Sequence, residues 1–100
     1  MALEIKEDKG FFEITGRVTS QNLPALKVYF ESLLELNDTM LISIEKVEEM
    51  DSSAAHFFES LYRGAATQNK VVTIIGQHNE GVSKIMEATN TAYILSSDRI

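Results

Sequence analysis

The order of apolar and polar residues in the first part of the chain predicts a β-hairpin followed by a helix. Between residues 3 and 15, apolar and polar side chains alternate on either side of a turn-like segment at residues 7–10. From Leu23 onward the apolar residues recur at helical spacing, and Pro24 is typical of the first turn of a helix. This helix is predicted to end at residues 37–38.

Two strand–helix units follow. Residues 40–44 form a nearly continuous apolar run typical of a buried strand, and residues 71–75 form a β-branched one. A helix is predicted after each strand, over residues 54–66 and residues 81–89, and a last short strand over residues 92–95. The first of these helices has the clearest apolar stripe of the chain, formed by Ala54, Phe57, Phe58, Leu61, Tyr62 and Ala65. The second is predicted to bury Val82, Ile85 and Met86.

These elements predict one α/β domain over residues 1–100, with a mixed, mostly parallel β-sheet covered by helices in the order β-β-α-β-α-β-α-β. A chain of this length suffices for one sheet and a few helices. The carboxyl ends of parallel strands meet at one edge of a sheet, where ligands and partners of α/β proteins usually bind. The segments 16–22, 45–53 and 76–80 are therefore expected to lie close together.

The composition excludes several classes of function. The formal net charge is −6, and the Lys and Arg residues are scattered singly, so no nucleic-acid partner is predicted. The chain has no cysteine, which excludes disulfides, thiolate metal sites and thiol catalysis. No apolar stretch approaches the length of a membrane span, and the first residues lack the pattern of a signal peptide. We therefore expect a cytoplasmic protein with no membrane insertion.

Asp51, Ser52 and Ser53 place two hydroxyls at the predicted start of the second helix, where unpaired backbone N–H groups tolerate a phosphate. No neighbouring residue is suited to activate either hydroxyl as a nucleophile, so the pattern favours a phosphorylation site and no catalytic residue is predicted. The alternative is a structural role, with Ser52, Ser53 or Asp51 as a helix cap or Asp51 as a partner of the helix dipole. Glu48 and Glu49 make this approach acidic, which disfavours capture of a free anion.

Neither a cofactor nor a metal site is predicted. Residues 76–83 join a strand to a helix and contain two glycines, as a phosphate-binding loop would, but Val82 stands where that motif requires lysine. An ordinary βα loop is the preferred interpretation. His56 and His78 fall in different strand–helix units and have no carboxylate at ligand spacing, so metal binding is disfavoured.

Three pieces of the chain together resemble the STAS domain, the fold of bacterial anti-sigma factor antagonists. They are the Ile-Thr-Gly-Arg-Val sequence at residues 14–18, the apolar strand at residues 41–44 and the Met-Asp-Ser-Ser sequence at residues 50–53, in that order and at that spacing. The sequence departs from the family pattern at Ala54, where a glycine usually follows the serines, and at Ala55, where a larger aliphatic residue is common. No C-terminal helix is predicted after the last strand, which is a further departure.

The resemblance implies a regulatory binding module that acts in transcription. A serine kinase that is itself the anti-sigma factor would phosphorylate Ser52, the serine directly after the motif aspartate Asp51. The unphosphorylated domain would bind this kinase and free the sigma factor, and a serine phosphatase would reset the switch. The expected partner-binding residues are Asp51, Ser52, Ser53, His56, Glu59, Ser60 and Arg63.

Two alternatives stay open. The first is a STAS-like accessory subunit of a lipid- or solute-transport assembly, which would use the same helix face as a permanent docking surface. The second is a small nucleotide-binding or enzymatic domain.

Overall fold

The computed structural model describes residues 3–96. The other residues of the predicted domain, 1–2 and 97–100, lie outside this range. The strands are β1 (Glu4–Asp8), β2 (Phe11–Val18), β3 (Thr39–Met50) and β4 (Val71–Ile75). The helices are α1 (Leu23–Leu36), α2 (Ser52–Thr67) and α3 (Glu80–Ala88), and a short 3₁₀ helix follows at Ala92–Ile94. The predicted order is confirmed from the first strand to the third helix.

The four strands form one mixed sheet in the order β1-β2-β3-β4. β1 and β2 are an antiparallel hairpin, whereas β2, β3 and β4 run parallel, as predicted. The hairpin turn consists of Lys9 and Gly10, whose φ angles are both positive at 52° and 86°. Two successive positive φ angles are characteristic of the type I′ turn, whose twist suits a two-residue hairpin connection.

One apolar core joins the helices to the sheet. Every second residue of β2 is buried, so this strand turns one face toward the core. The rings of Phe12 in β2 and Phe30 in α1 meet edge to face, with 5.9 Å between their centroids. On α3, Val82 and Met86 are buried as predicted, whereas Ile85 is only partly buried and packs against the core. Within residues 3–96, no helix has the length and apolar character needed to cross a membrane.

β3 is longer than predicted. The apolar run at residues 40–44 continues as strand to Met50, so the predicted loop at residues 45–53 is wrong for most of its length. The added residues are largely polar, and β2 stays paired with them through two register shifts. Two ion pairs join polar side chains of β2 to those of β3: Glu13 with Lys46 at 3.5 Å, and Arg17 with Glu49 at 3.3 Å.

Asn79 takes the place of a neighbouring strand along this extension of β3. β4 pairs with β3 only as far as Ser43, so beyond this residue β3 has no strand partner on the β4 side. The side-chain amide Nδ2 of Asn79 lies 3.1 Å from the carbonyl oxygen of Ile44, 3.0 Å from that of Glu45 and 2.8 Å from that of Val47. Its other side-chain atom, Oδ1, accepts the backbone N–H of Val82 and caps α3.

The predicted last strand at residues 92–95 is wrong, because this segment begins as a 3₁₀ helix. The backbone N–H of Ile94 donates to the carbonyl of Thr91 at 3.2 Å, so its hydrogen bond is local and not shared with a strand. Only Leu95 forms a β-bridge, parallel to Ile74 of β4. The apolar pattern of this segment correctly indicates that Ile94 and Leu95 are buried, but it does not indicate an extended backbone.

The apolar stripe of α2 is confirmed with two corrections, because both Tyr62 and Phe57 are only partly buried. The fully or nearly fully buried residues are Ala54, Ala55, Phe58, Leu61 and Ala65. Phe57, which was predicted to be a core residue, is only partly buried and packs against the edge of the core. The helix also starts before the predicted range and ends after it.

Candidate functional site

Asp51 directly precedes α2 and caps its N-terminus. Its carboxylate oxygen Oδ1 accepts the backbone N–H of Ala54 at 2.9 Å, which makes Asp51 the N-cap. The other oxygen, Oδ2, accepts the backbone N–H of Ser20 at 2.9 Å, in the loop between β2 and α1. The capping role considered for Asp51 is therefore confirmed. A cap at Ser52 or Ser53 is wrong, because both serines already lie inside the helix.

Ser52 and Ser53 are the first two residues of α2, and both are exposed. The residues that follow them, Ala54 and Ala55, are both completely buried. The methyl groups that distinguish this chain from the family pattern are therefore packed in the core, not displayed beside the serines. A protein that approaches Ser52 from solvent meets the hydroxyl before it meets either methyl group.

The surroundings of Ser52 are acidic. Glu48 and Glu49 at the end of β3 are exposed, and Asp51 lies directly before the serine. Arg17 offsets one of these charges through its ion pair with Glu49. A negative charge at Ser52 would therefore lie on a surface that already carries carboxylates without a basic partner, and it would be repelled by them.

The loops at the carboxyl ends of the parallel strands meet, as predicted. The loop after β2 contacts the start of α2 through Ser20 and Asp51, and the loop after β4 contacts β3 through Asn79 and Val47. His78 lies in that last loop and is exposed. Within the part of the chain that the structure describes, no group of three or more His, Cys, Asp or Glu side chains is arranged to hold a metal ion.

The outer face of α2 divides into two sides. His56 and Ser60 line a groove of about 320 Å³ between α1 and α2, whose floor includes Leu61 and Leu34. Glu59 turns to the opposite side, toward the 3₁₀ helix, where Tyr93 donates its hydroxyl to Oε2 of the carboxylate at 2.6 Å.

Glu59 is held by two partners. Oε2 accepts the Tyr93 hydroxyl, and Oε1 lies 3.7 Å from Nδ1 of His56. The Tyr93 hydrogen bond lowers the pKa of the Glu59 carboxyl, with smaller contributions from His56 and Arg63, and the same bond raises the pKa of the Tyr93 hydroxyl. The ring of Tyr93 also meets that of Tyr62 edge to face, with 6.4 Å between centroids.

Comparison with known families supports this arrangement of elements. The model of the STAS domain matches residues 1–96. The chain belongs to the STAS domain family. Among curated proteins, no sequence matches at a significant level.

Several solved structures resemble this STAS domain. The anti-sigma factor antagonist SpoIIAA in its unphosphorylated form is 12% identical, with a TM-score of 0.75 over 98% of this chain and 89% of that one. An anti-sigma factor antagonist from Mycobacterium paratuberculosis is 13% identical, with a TM-score of 0.65 over 96% and 86%. An uncharacterized protein of the DUF3478 family with a SpoIIAA-like fold, from Shewanella loihica PV-4, is 25% identical, with a TM-score of 0.51 over 76% and 66%.

Two residues of the site in this STAS domain are not evident from the sequence. Tyr93 lies 34 residues after Glu59, in a segment whose pattern predicts a strand, so nothing local links the two. Ser20 contacts Asp51 through its backbone N–H, so the identity of its side chain does not indicate this contact. The one hint that the sequence offers for Tyr93 is a polar hydroxyl in an otherwise apolar segment, because a tyrosine hydroxyl usually finds a hydrogen-bond partner when it is buried.

Proposed function

We propose that this STAS domain is an anti-sigma factor antagonist whose binding to a serine kinase is switched by phosphorylation of Ser52. The observation that carries the proposal is the position of Ser52, exposed at the first residue of α2 and directly after the capping residue Asp51. The fold shared with two anti-sigma factor antagonists agrees with it.

In the unphosphorylated state, the kinase that acts as anti-sigma factor binds Asp51, Ser52 and Ser53 together with the outer face of α2. The residues of that face are His56, Glu59, Ser60 and Arg63. Binding occupies the kinase, and the sigma factor is released into the bacterial cytoplasm. A serine phosphatase removes the phosphate and restores binding.

Phosphorylation acts through charge and not through unfolding. A phosphate adds nearly two negative charges beside Asp51, and like-charge repulsion and desolvation weaken a partner docked on that surface. The same phosphate lies at the N-terminus of a helix, where a negative charge is favourable by about 0.3–1 kcal/mol. The domain therefore stays folded, while a repulsion of about 1.4 kcal/mol at the interface already lowers affinity tenfold.

The test is incubation of the protein and ATP with a purified anti-sigma-type serine kinase from the source organism, followed by phosphosite mapping by mass spectrometry. We expect phosphate on Ser52, none on the Ser52→Ala variant and normal phosphorylation of Ser53→Ala. Phosphate on Ser53 or Thr67 alone, or no phosphate at all, would contradict the proposal. Persistent co-purification with an ATPase subunit without phosphorylation would favour the accessory subunit of a transport assembly, and measurable nucleotide affinity would favour the nucleotide-binding alternative.

A further inference from the structure

The side of α1 that faces away from the core carries a second stripe of uncharged residues. They recur at steps of three or four along the helix, as the core-facing residues do, and all of them are exposed: Ala25, Val28, Tyr29, Ser32 and Leu36. Val28 is 67% exposed and Leu36 is 81% exposed, so these large side chains are covered by nothing within residues 3–96. We call these five residues the outer stripe of α1.

The outer stripe is contiguous, which is unusual for an uncovered surface. Single exposed apolar residues are common on soluble proteins, whereas a contiguous apolar patch marks a contact with another molecule. Three of the five large apolar side chains that are exposed within residues 3–96 belong to this stripe. The ring of Tyr29 is held by edge-to-face contacts with Phe12 and Phe30, at 6.4 Å and 5.1 Å between centroids. The stripe therefore presents a fixed aromatic anchor.

Two glutamates of α1 border the outer stripe on one side. Glu31 follows Val28 by three residues and Glu35 follows Ser32 by three, so they are neighbours on the helix surface, and both glutamates are exposed. Lys27, the single basic residue of α1, lies farther round the helix and, with Glu31, lines the groove toward α2. This side of the stripe is therefore acidic.

An acidic residue of β1 borders the other side. Burial raises the pKa of the Tyr29 hydroxyl, and the negative charge of Glu7 raises it further, so this carboxylate lies near the ring. Glu7 is itself exposed. The apolar side chains of the stripe thus lie between carboxylates on both sides, and such a surface attracts cationic groups and repels anionic ones.

We propose that the outer stripe of α1 is a docking surface for a basic amphipathic helix of another protein, whose apolar residues pack on the stripe while its Lys or Arg residues pair with the bordering carboxylates. The stripe spans about 16 Å at 1.5 Å per residue, or three helical turns, which a partner helix can cover with its side-chain ridges. The inference goes beyond the proposed function, because the stripe contains neither Ser52 nor any residue of the outer face of α2. Binding here would not be switched by phosphorylation of Ser52.

Charge favours this occupant over two others. A second copy of the chain, related by a two-fold axis, would present the same acidic borders, so carboxylates of the two copies would face each other. An anionic lipid surface would be repelled in the same way, and the formal net charge of −6 adds to that repulsion. A basic amphipathic helix gains the apolar contact and the ion pairs together.

The test uses two synthetic helical peptides as long as α1, which has 14 residues. Both peptides have the same leucine face, and their remaining positions are lysine in one and glutamate in the other. Each is titrated into the isotopically labelled protein, and binding is located from amide shifts in NMR spectra. We expect saturable binding of the lysine peptide, with the largest shifts between residues 25 and 36, and at least tenfold weaker binding of the glutamate peptide. Ser52→Asp should change the affinity for the lysine peptide less than twofold.

Two double variants separate the apolar contact from the charge. Val28→Ser combined with Leu36→Ser should weaken binding of the lysine peptide at least tenfold while the protein stays folded, because both positions are exposed. Glu31→Gln combined with Glu35→Gln should weaken it about fivefold, the effect of losing exposed ion pairs. The matched control is Glu48→Gln combined with Glu87→Gln. It removes the same charge from exposed positions outside the stripe and should change the affinity less than twofold.

Several results would overturn the inference. Shifts spread over the whole surface, or equal losses in the two glutamine double variants, would mean that the peptide responds only to overall negative charge. Equal affinity for the two peptides would show that the carboxylates do not select a basic partner. A dimer in analytical ultracentrifugation that Val28→Ser with Leu36→Ser abolishes would show that a second copy covers the stripe. None of these results bears on phosphorylation of Ser52, so the proposed function would stand or fall separately.

Discussion

The carboxylate of Asp51 accepts the backbone N–H of Ser20 at 2.9 Å, across 31 residues of sequence. The same carboxylate caps α2 through Ala54. One side chain therefore fixes the loop after β2 to the helix that begins with Ser52. A partner that recognises Ser52 also meets this loop, and its position depends on Asp51.

Replacing Asp51 should destabilise the domain by an amount that depends on how many of its two hydrogen bonds are lost. Asp51→Asn retains one oxygen for the cap but loses an acceptor, whereas Asp51→Ala loses both hydrogen bonds. We expect a loss of about 1–2 kcal/mol of unfolding free energy for the alanine variant, and about half of that for the asparagine variant. Chemical denaturation measures both. Ser53→Ala is the matched control and should stay within about 0.5 kcal/mol, because Ser53 is not the cap.

Three successive residues of α2 should differ sharply in their importance for stability. Phe58 is completely buried, Phe57 is partly buried and His56 is exposed. Phe58→Ala should cost about 3–5 kcal/mol, Phe57→Ala clearly less, and His56→Ala no more than about 0.5 kcal/mol. Thermal melts and denaturant titrations rank them. Partner affinity should instead be lowered by His56→Ala, and a larger loss of stability for His56 than for Phe58 would contradict the observed helix register.

Local patterns were sufficient where an element is determined by its own residues. The strand predicted at residues 71–75 is β4 as observed, because its β-branched run is bounded by turn residues on both sides. The start of α1 at Leu23 was predicted for a similar reason, since Pro24 fits the first turn of a helix. The segment Asp51–Ser53 was found from its polar residues, although the sequence left the capping residue undecided.

Distant contacts account for what the sequence did not show. The second half of β3 is polar and looks like a loop, yet it is held as a strand by β2 on one side and by the amide of Asn79 on the other. Asn79 is 32 residues from Val47, so no local pattern could indicate this contact. The position of Tyr93 beside Glu59 likewise depends on how the chain returns to β4 after α3.

Two glycine-to-alanine substitutions should change stability in opposite directions. Apart from its chain neighbours and the backbone of its own helix, a methyl group at Gly64 in α2 would meet no heavy atom within 4 Å. Gly64→Ala should therefore stabilise the domain by up to about 1 kcal/mol through helix propensity. At Gly76, directly after β4, the added carbon would lie 2.6 Å from Cγ1 of the buried Ile44. Gly76→Ala should therefore cost about 1–3 kcal/mol. Differential scanning calorimetry compares the two, and a shift of the same sign in both would contradict the packing described.

The pKa of the Glu59 carboxyl should depend on Tyr93. The Tyr93 hydrogen bond lowers this pKa below the ordinary value of 4.5. Because the folded-state pKa is the lower one, the contribution of Glu59 to stability is present above the ordinary glutamate range and is lost as the pH falls through the lowered pKa. An NMR titration of the Glu59 side-chain carboxyl carbon should show its midpoint moving upward in Tyr93→Phe. Tyr29→Phe serves as the control, and an unchanged midpoint in Tyr93→Phe would show that this hydrogen bond is not formed in solution.

A negative charge at Ser52 should weaken partner binding without unfolding the domain. Ser52→Asp places a carboxylate beside Asp51 on an acidic surface, but it also places it in the first turn of α2, where the helix dipole favours it. We therefore expect an unchanged melting temperature and about tenfold weaker binding to the kinase by titration calorimetry. Ser53→Asp adds the same charge one residue later, at another exposed position of the same turn. Because the switch depends on the position of the charge and not only on its sign, the effect of Ser53→Asp should be clearly smaller. Equal losses in both variants would mean that the kinase responds to the overall charge of this surface, and Ser52 would then have no special place in the interface.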